Sequence, residues 1–341
     1  MFGLTMASKL LRSACPFLTL LSLFPVLAFA ANPQQQSGPA QATPPAQAGR
    51  AAQGNPSNQS SAPAQAGAAA PAGVSGQKVI QDEAEYNAYK AAVNTQDPKE
   101  RAEALESFVQ RYPKSVAASD ALEQAMSAWQ SAGDAVKVLE VAKELLAADS
   151  GNVRALAIVV ALDRVSAAQG DTPALDELCL YSTAGMREIS MWQKPAEMTD
   201  ADFASLNKQM ARIFNSAAGY CALEQRNFFQ ARDWFTRSIE TDPSNLQDVY
   251  ELAIADLELT PIDANGFWYC ARAIQLAKSS PNASAAGGME DYCKPKYETY
   301  HGSLAGWDAI LSASAAQNAL PPGFAKGISP APPATPPSQQ K

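Results

Sequence analysis

The stretch Arg212–Asn245, RIFNSAAGYCALEQRNFFQARDWFTRSIETDPSN, decides the fold. Its 34 residues read as two helices and one turn. The first helix carries Ala218-Gly219, and small side chains there let a second helix approach closely. The turn falls at Arg226-Asn227. The second helix places Ala231, Phe235 and Ser238 at helical spacing and stops at Asp242-Pro243-Ser244-Asn245, a run of turn-forming residues.

Working outward, the pattern from Lys78 to about Leu320 is helical throughout, with no bounded period-two alternation to suggest a strand. Ala, Leu, Glu, Gln, Lys and Arg dominate, all good helix formers. Breaks recur at Asp97-Pro98, Tyr112-Pro113-Lys114-Ser115, Ala132-Gly133-Asp134, Asp149-Ser150-Gly151-Asn152, Gln169-Gly170-Asp171, Thr260-Pro261 and Ser280-Pro281-Asn282. They cut helices of roughly 12 to 16 residues, and recurrence of this kind marks a repeat. Ser119–Asn152 is a second 34-residue unit, with Leu122 and Trp129 at its large apolar places and Gly133-Asp134 at its turn. Asp82–Ser115 is a third, carrying Tyr86, Tyr89, Ala104 and Phe108. Weaker units run from Val153 to about Arg187 and from Leu246 to Ala277. An irregular insert with Trp192 and Pro195 lies between Met186 and Thr199. A long helix starts at Thr199-Asp200, and two last helices, Gly287–Tyr300 and Ser303–Gln317, form a cap.

Residues 212–245 resemble the tetratricopeptide repeat (TPR). Gly219 stands at the eighth place, Ala231 at the twentieth, Phe235 at the twenty-fourth, Ser238 at the twenty-seventh, and Asp-Pro-x-Asn closes the unit. Asn215 and Ala222 depart from the large residues usual at the fourth and eleventh places. Met126, Val138 and Leu145 make the 119–152 unit degenerate. The phrase Glu106–Ser115, followed by Ala121, is similar to exported bacterial envelope TPR proteins of the outer-membrane assembly and TolA-binding kinds. The resemblance implies an all-α right-handed solenoid of helical hairpins over 78–320, whose first helices line a concave groove for a peptide or helix. In that register the groove residues are Ile213, Ser216, Tyr220, Leu223 and Glu224, then Tyr250, Asp256, Leu257 and Glu258. Glu224 and Glu258 would make the groove acidic, suiting a basic partner; ordinary solvated helix glutamates are the alternative.

The two ends are of different material. Residues 1–30 carry Lys9 and Arg12, no acid, an apolar run from Phe17 to Leu27 and a small-x-small close at Ala28-Phe29-Ala30. That is the pattern of a secretory signal peptide, expected to be cut after Ala30; a retained anchor is the alternative. A spanning helix needs about 20 apolar residues, and this run is shorter and interrupted by Pro25. Residues 31–77, with seven prolines, one charge at Arg50 and no aromatic, read as a disordered linker. Residues 321–341, with seven more prolines, read as a disordered tail.

The chain has 26 basic and 34 acidic residues, a net charge of −8 and a single histidine. That balance argues against a nucleic-acid partner, and one histidine removes most His-based metal sites and catalytic triads. His301 reads as a helix C-terminal cap. We find no Gly-rich phosphate loop, nucleophile elbow or C-x-x-C, so no catalytic, cofactor or metal residue is assigned. Beyond the leader, Cys179, Cys221, Cys270 and Cys293 allow three disulfide pairings, among which Cys270–Cys293 joins sequential helices; buried free thiols are the other reading. Trp129, Trp234 and Phe235 sit at core spacing. Trp192 and Trp307 could cover core ends or stack on a sugar. Two functions follow: a non-enzymatic, exported (periplasmic or secreted) TPR scaffold in the bacterial envelope that binds another protein through its groove, or a helical binder of glycan or peptidoglycan fragments.

Overall fold

The computed structural model describes residues 79–195, 198–281 and 283–332. The expectations for the leader at 1–30 and the linker at 31–77 lie outside these residues. Twelve α-helices make up the described chain: α1 Glu83–Val93, α2 Pro98–Arg111, α3 Ala118–Ala132, α4 Ala135–Ala148, α5 Val153–Ala168, α6 Thr172–Met191, α7 Asp200–Glu224, α8 Phe228–Thr241, α9 Leu246–Glu258, α10 Asn265–Lys278, α11 Ala285–His301 and α12 Trp307–Ala316. A short 3₁₀ turn follows at Phe324–Gly327, and no strand occurs among the described residues. Consecutive helices pack against each other along the whole chain.

The helix starts are written in short polar side chains. Asp82, Asp97, Asp134, Asn152, Asp171, Thr199, Asn227 and Asn245 each accept a hydrogen bond from the backbone N–H three residues on. Each satisfies one of the orphan donors of a first turn, at about 1 kcal/mol per cap. Pro98 and Pro173 sit in first turns, where a missing N–H costs nothing. Gly133, at φ 78, ends α3 in the left-handed conformation and frees Asp134 to cap α4. The insert after α6 is short, and α7 then runs for 25 residues from its Thr199 cap, the long helix expected there.

Helix pairs close on one another where a side chain is missing. The Phe235 ring of α8 lies against Gly219 of α7, and the Phe214 ring of α7 lies against Gly185 of α6. From α1 to α11, five links between helices two apart recur at nearly constant sequence spacing. Gln124 of α3 donates to the Tyr89 hydroxyl of α1, 35 residues earlier. Arg154 of α5 pairs with Glu123 of α3 at 2.6 Å across 31 residues. Ser216 of α7 donates to Asp248 of α9 across 32, and Tyr292 of α11 donates to Glu258 of α9 across 34. Lys143 of α4 pairs with Glu177 of α6, again 34 apart. Equivalent helices of successive pairs therefore face each other.

The C-terminal reading needs correction. Residues 321–332, expected to be part of a disordered tail, lie on α10 and α11: Phe324 packs on Trp268, Ile328 is buried, and the Ala331 N–H donates to the Tyr300 carbonyl. Phe324, Ala325 and Ile328, among prolines and glycines, seat the segment on a surface that composition alone does not reveal. Residues 333–341 lie outside the described chain. The last two helices span Ala285–His301 and Trp307–Ala316, shifted by a few residues from expectation.

Candidate functional site

α5, α7 and α9 share a set of buried polar groups. Arg164 of α5 sits with its guanidinium 3.5 Å from the Tyr220 ring centroid of α7. It donates from one nitrogen to both carboxylate oxygens of Glu251 of α9, at 2.6 and 2.8 Å. Gln247 donates to the same carboxylate. One turn away, Asp248 accepts from the hydroxyls of Ser216 and Ser238, both at 2.6 Å. Three side chains thus bridge three helices, and Arg164 reaches Glu251 across 87 residues of sequence.

Burial works against every charge here. It pushes the Glu251 carboxyl up, opposed by Arg164, and pushes Asp248 up, opposed by the two serine hydroxyls. For Arg164, burial favours the neutral form, but Glu251 and Tyr220 outweigh it and the net direction is up. The Tyr220 phenol is pushed up to about 12, first by burial, with Arg164 opposing and Glu224 adding to it. A guanidinium stacked on a ring and ion-paired to a buried carboxylate is a fixed joint: it leaves no acid or base free for proton transfer.

The positions expected to line an open groove are distributed otherwise. Tyr220, Leu223, Tyr250 and Asp256 are all buried. Arg164 lies over the Tyr220 ring, and Tyr292 of α11 packs edge-on to Tyr250 at 6.2 Å. Asp256 belongs to a different cluster, where the Asp263 charge sits near it and Arg232 of α8 pairs with Asp263 at 3.7 Å. Glu258 is engaged by the Tyr292 hydroxyl and by Lys296 at 2.8 Å. Glu224 alone of the six is exposed, and its charge helps to push the Tyr220 phenol up. The six residues form no continuous acidic groove. Arg164 and Glu251, which join α5 to α9, were not singled out from the sequence. The available signal was Asp163-Arg164 near the end of VRALAIVVALDRV, adjacent charges in a helix otherwise apolar after Arg154.

Of the tryptophans, Trp129 is buried and donates to Glu106 at 2.6 Å, Trp307 is 1% exposed, and half-buried Trp192 packs on Phe203. Trp307 offers no open face to a sugar. Both disulfides form: Cys270–Cys293 joins α10 to α11, and Cys179–Cys221 joins α6 to α7. His301 ends α11 ahead of Gly302, and its Nδ1 lies 2.9 Å from the Ser329 carbonyl, so it also holds the C-terminal segment. An open recess of about 290 Å³ lies between α1 and α2, lined by Ala88, Ala92, Thr95, Phe108, Arg111 and Tyr112. Among the described residues there is no group of three metal-ligating side chains, and no helix long and apolar enough to cross a membrane. No protein-family model matches the chain. No curated protein matches it either.

Proposed function

We propose that this protein is a non-enzymatic, exported scaffold of TPR type that holds another protein of the bacterial envelope. The observation that carries the reading is the chain of packed helix pairs whose equivalent helices are linked at spacings of 31 to 35 residues. A stack of this kind presents a long surface in which each pair contributes a few contacts, and such surfaces suit peptides and helices. The leader-like start and the two disulfides suit an oxidising compartment. The buried joint at Arg164 moves the partner surface away from Tyr220 and Tyr250 to other parts of the stack.

The test is a crosslinked pull-down with the mature protein from its native envelope, read by mass spectrometry. Enrichment of one or two envelope proteins, unaffected by excess glycan fragments, is expected. Repeated recovery of nothing above a non-binding control would end the scaffold reading.

A further inference from the structure

Leu320–Pro332, LPPGFAKGISPAP, lies across the C-terminal end of the stack. Its hold is light. The Phe324 ring meets Trp268 of α10 edge-on at 5.5 Å, and Ile328 is 7% exposed. Two backbone attachments follow, Ala331 N–H to the Tyr300 carbonyl at 2.6 Å and the Ser329 carbonyl to the His301 ring. Every other residue of the segment is half-buried or exposed, and its one regular element is a single 3₁₀ turn.

The surface beneath is richer than this occupant uses. Trp268 of α10 meets the Phe324 ring, and beside it Phe267, Tyr297 and Trp307 form an aromatic cluster across α10, α11 and α12. The indole N–H groups of both Trp268 and Trp307 are buried without a hydrogen-bond partner among the described residues. Arg272 lies one turn along α10 from Trp268, on the same side of the helix. It donates to the Ser314 carbonyl at 3.1 Å, its Nε is buried and unpartnered, and among the described residues no carboxylate lies within ion-pair distance of it. Burial pushes its pKa down, with no opposing charge nearby. The covering segment holds no acid, and its one charge is Lys326. A half-buried cation and two buried donors without acceptors are costly to leave unmet.

We propose that the aromatic groove of α10–α12 is a peptide-docking site held shut by the chain's own 320–332 segment, and that its partner is an acidic segment bearing apolar side chains spaced as Phe324 and Ile328 are, which takes their seats and gives Arg272 a carboxylate. The proposal deepens the scaffold reading and rests on it. The partner is marked out by what the resident strap lacks. The chain as a whole is acidic, with a net charge of −8, so general electrostatics oppose an acidic peptide. A preference for one therefore reports a local cation.

The test measures fluorescence anisotropy of two labelled peptides, the chain's own 320–332 sequence and the same sequence with Lys326→Glu. The hosts are the full chain and the full chain with Phe324→Ala and Ile328→Ala, which loosens the strap. The acidic peptide is expected to bind the loosened host about tenfold more tightly than the own-sequence peptide, the scale of one charged hydrogen bond. It should bind the unaltered chain several-fold more weakly, because there it must displace the strap. Adding Arg272→Gln should erase the preference between peptides. Equal binding of the two peptides, or no binding to a loosened host that still melts cooperatively, would reduce the strap to a structural cap. Loss of folding in the loosened host would do the same. None of these outcomes touches an envelope partner recovered by pull-down, so failure here and failure of the scaffold reading are separable.

Discussion

Asp256 is 2% exposed, its Oδ1 has no hydrogen-bond partner, and its pKa is pushed up to about 8, first by burial and then by the Asp263 charge, with Arg232 opposing. The folded state therefore binds a proton that the unfolded chain, with an ordinary carboxyl near 3.9, releases earlier. The associated stability is fully present below about pH 4 and is lost as the pH rises through about 8. Asp256→Asn should therefore gain on the parent in melting temperature from pH 5 to pH 9, by several degrees; parallel pH curves would reject this account. The Arg164–Glu251 pair behaves differently because each charge needs the other. Glu251→Leu alone should cost about 3–5 kcal/mol by leaving Arg164 buried and unmatched, and Arg164→Met with Glu251→Leu should cost less than that single change in denaturant unfolding. Asp256 shows where a sequence stops informing. Its place in the repeat register could be counted, but whether that place is open depends on which neighbours fold over it, here α8 and the turn into α10.

At the scale of elements, the missing side chains of two glycines set how closely helices pack. A Cβ on Gly185 would lie 2.2 Å from the Phe214 ring, and one on Gly219 would lie 2.7 Å from the Phe235 ring. Both rings are fully buried, so neither can swing aside. Gly185→Ala and Gly219→Ala should each destabilise by about 1–3 kcal/mol despite the better helix propensity of Ala, with Gly185 the more sensitive. A Cβ on Gly287 of α11 would meet nothing within 4 Å, and Gly287→Ala should stabilise by about 0.5–1 kcal/mol. Thermal unfolding of the three variants checks both the order and the change of sign. Helix existence was legible because the punctuation is local: the Asp, Asn and Gly residues that signal breaks are the ones that cap helices. The closeness at Gly219 was legible for the same reason. The long helix from Thr199-Asp200 was legible too; the seating of Phe324 and Ile328 was not, since it is decided by partners distant in sequence.

For the whole molecule, two covalent ties reinforce neighbouring helices, one beside the Arg164 joint and one between α10 and α11. Each disulfide should contribute about 2–4 kcal/mol. Cys270 and Cys293 are fully buried, whereas Cys179 is half-buried, so graded reduction followed by alkylation and mass spectrometry should label Cys179 and Cys221 first. Simultaneous labelling of all four would show that the stack opens as one unit. Most links between helix pairs reach only the next pair, as Tyr89 to Gln124 and Glu123 to Arg154 do. Arg164 reaches one pair further, from α5 to α9, with α7 held between. Under a load applied at the two ends, the first two pairs would peel away singly, like turns of a weak spring. The turns gripped by Arg164 would carry force together and give way at once. Pulled from its two ends, the chain should therefore extend first in small steps and then in one larger step, at the joint of Arg164.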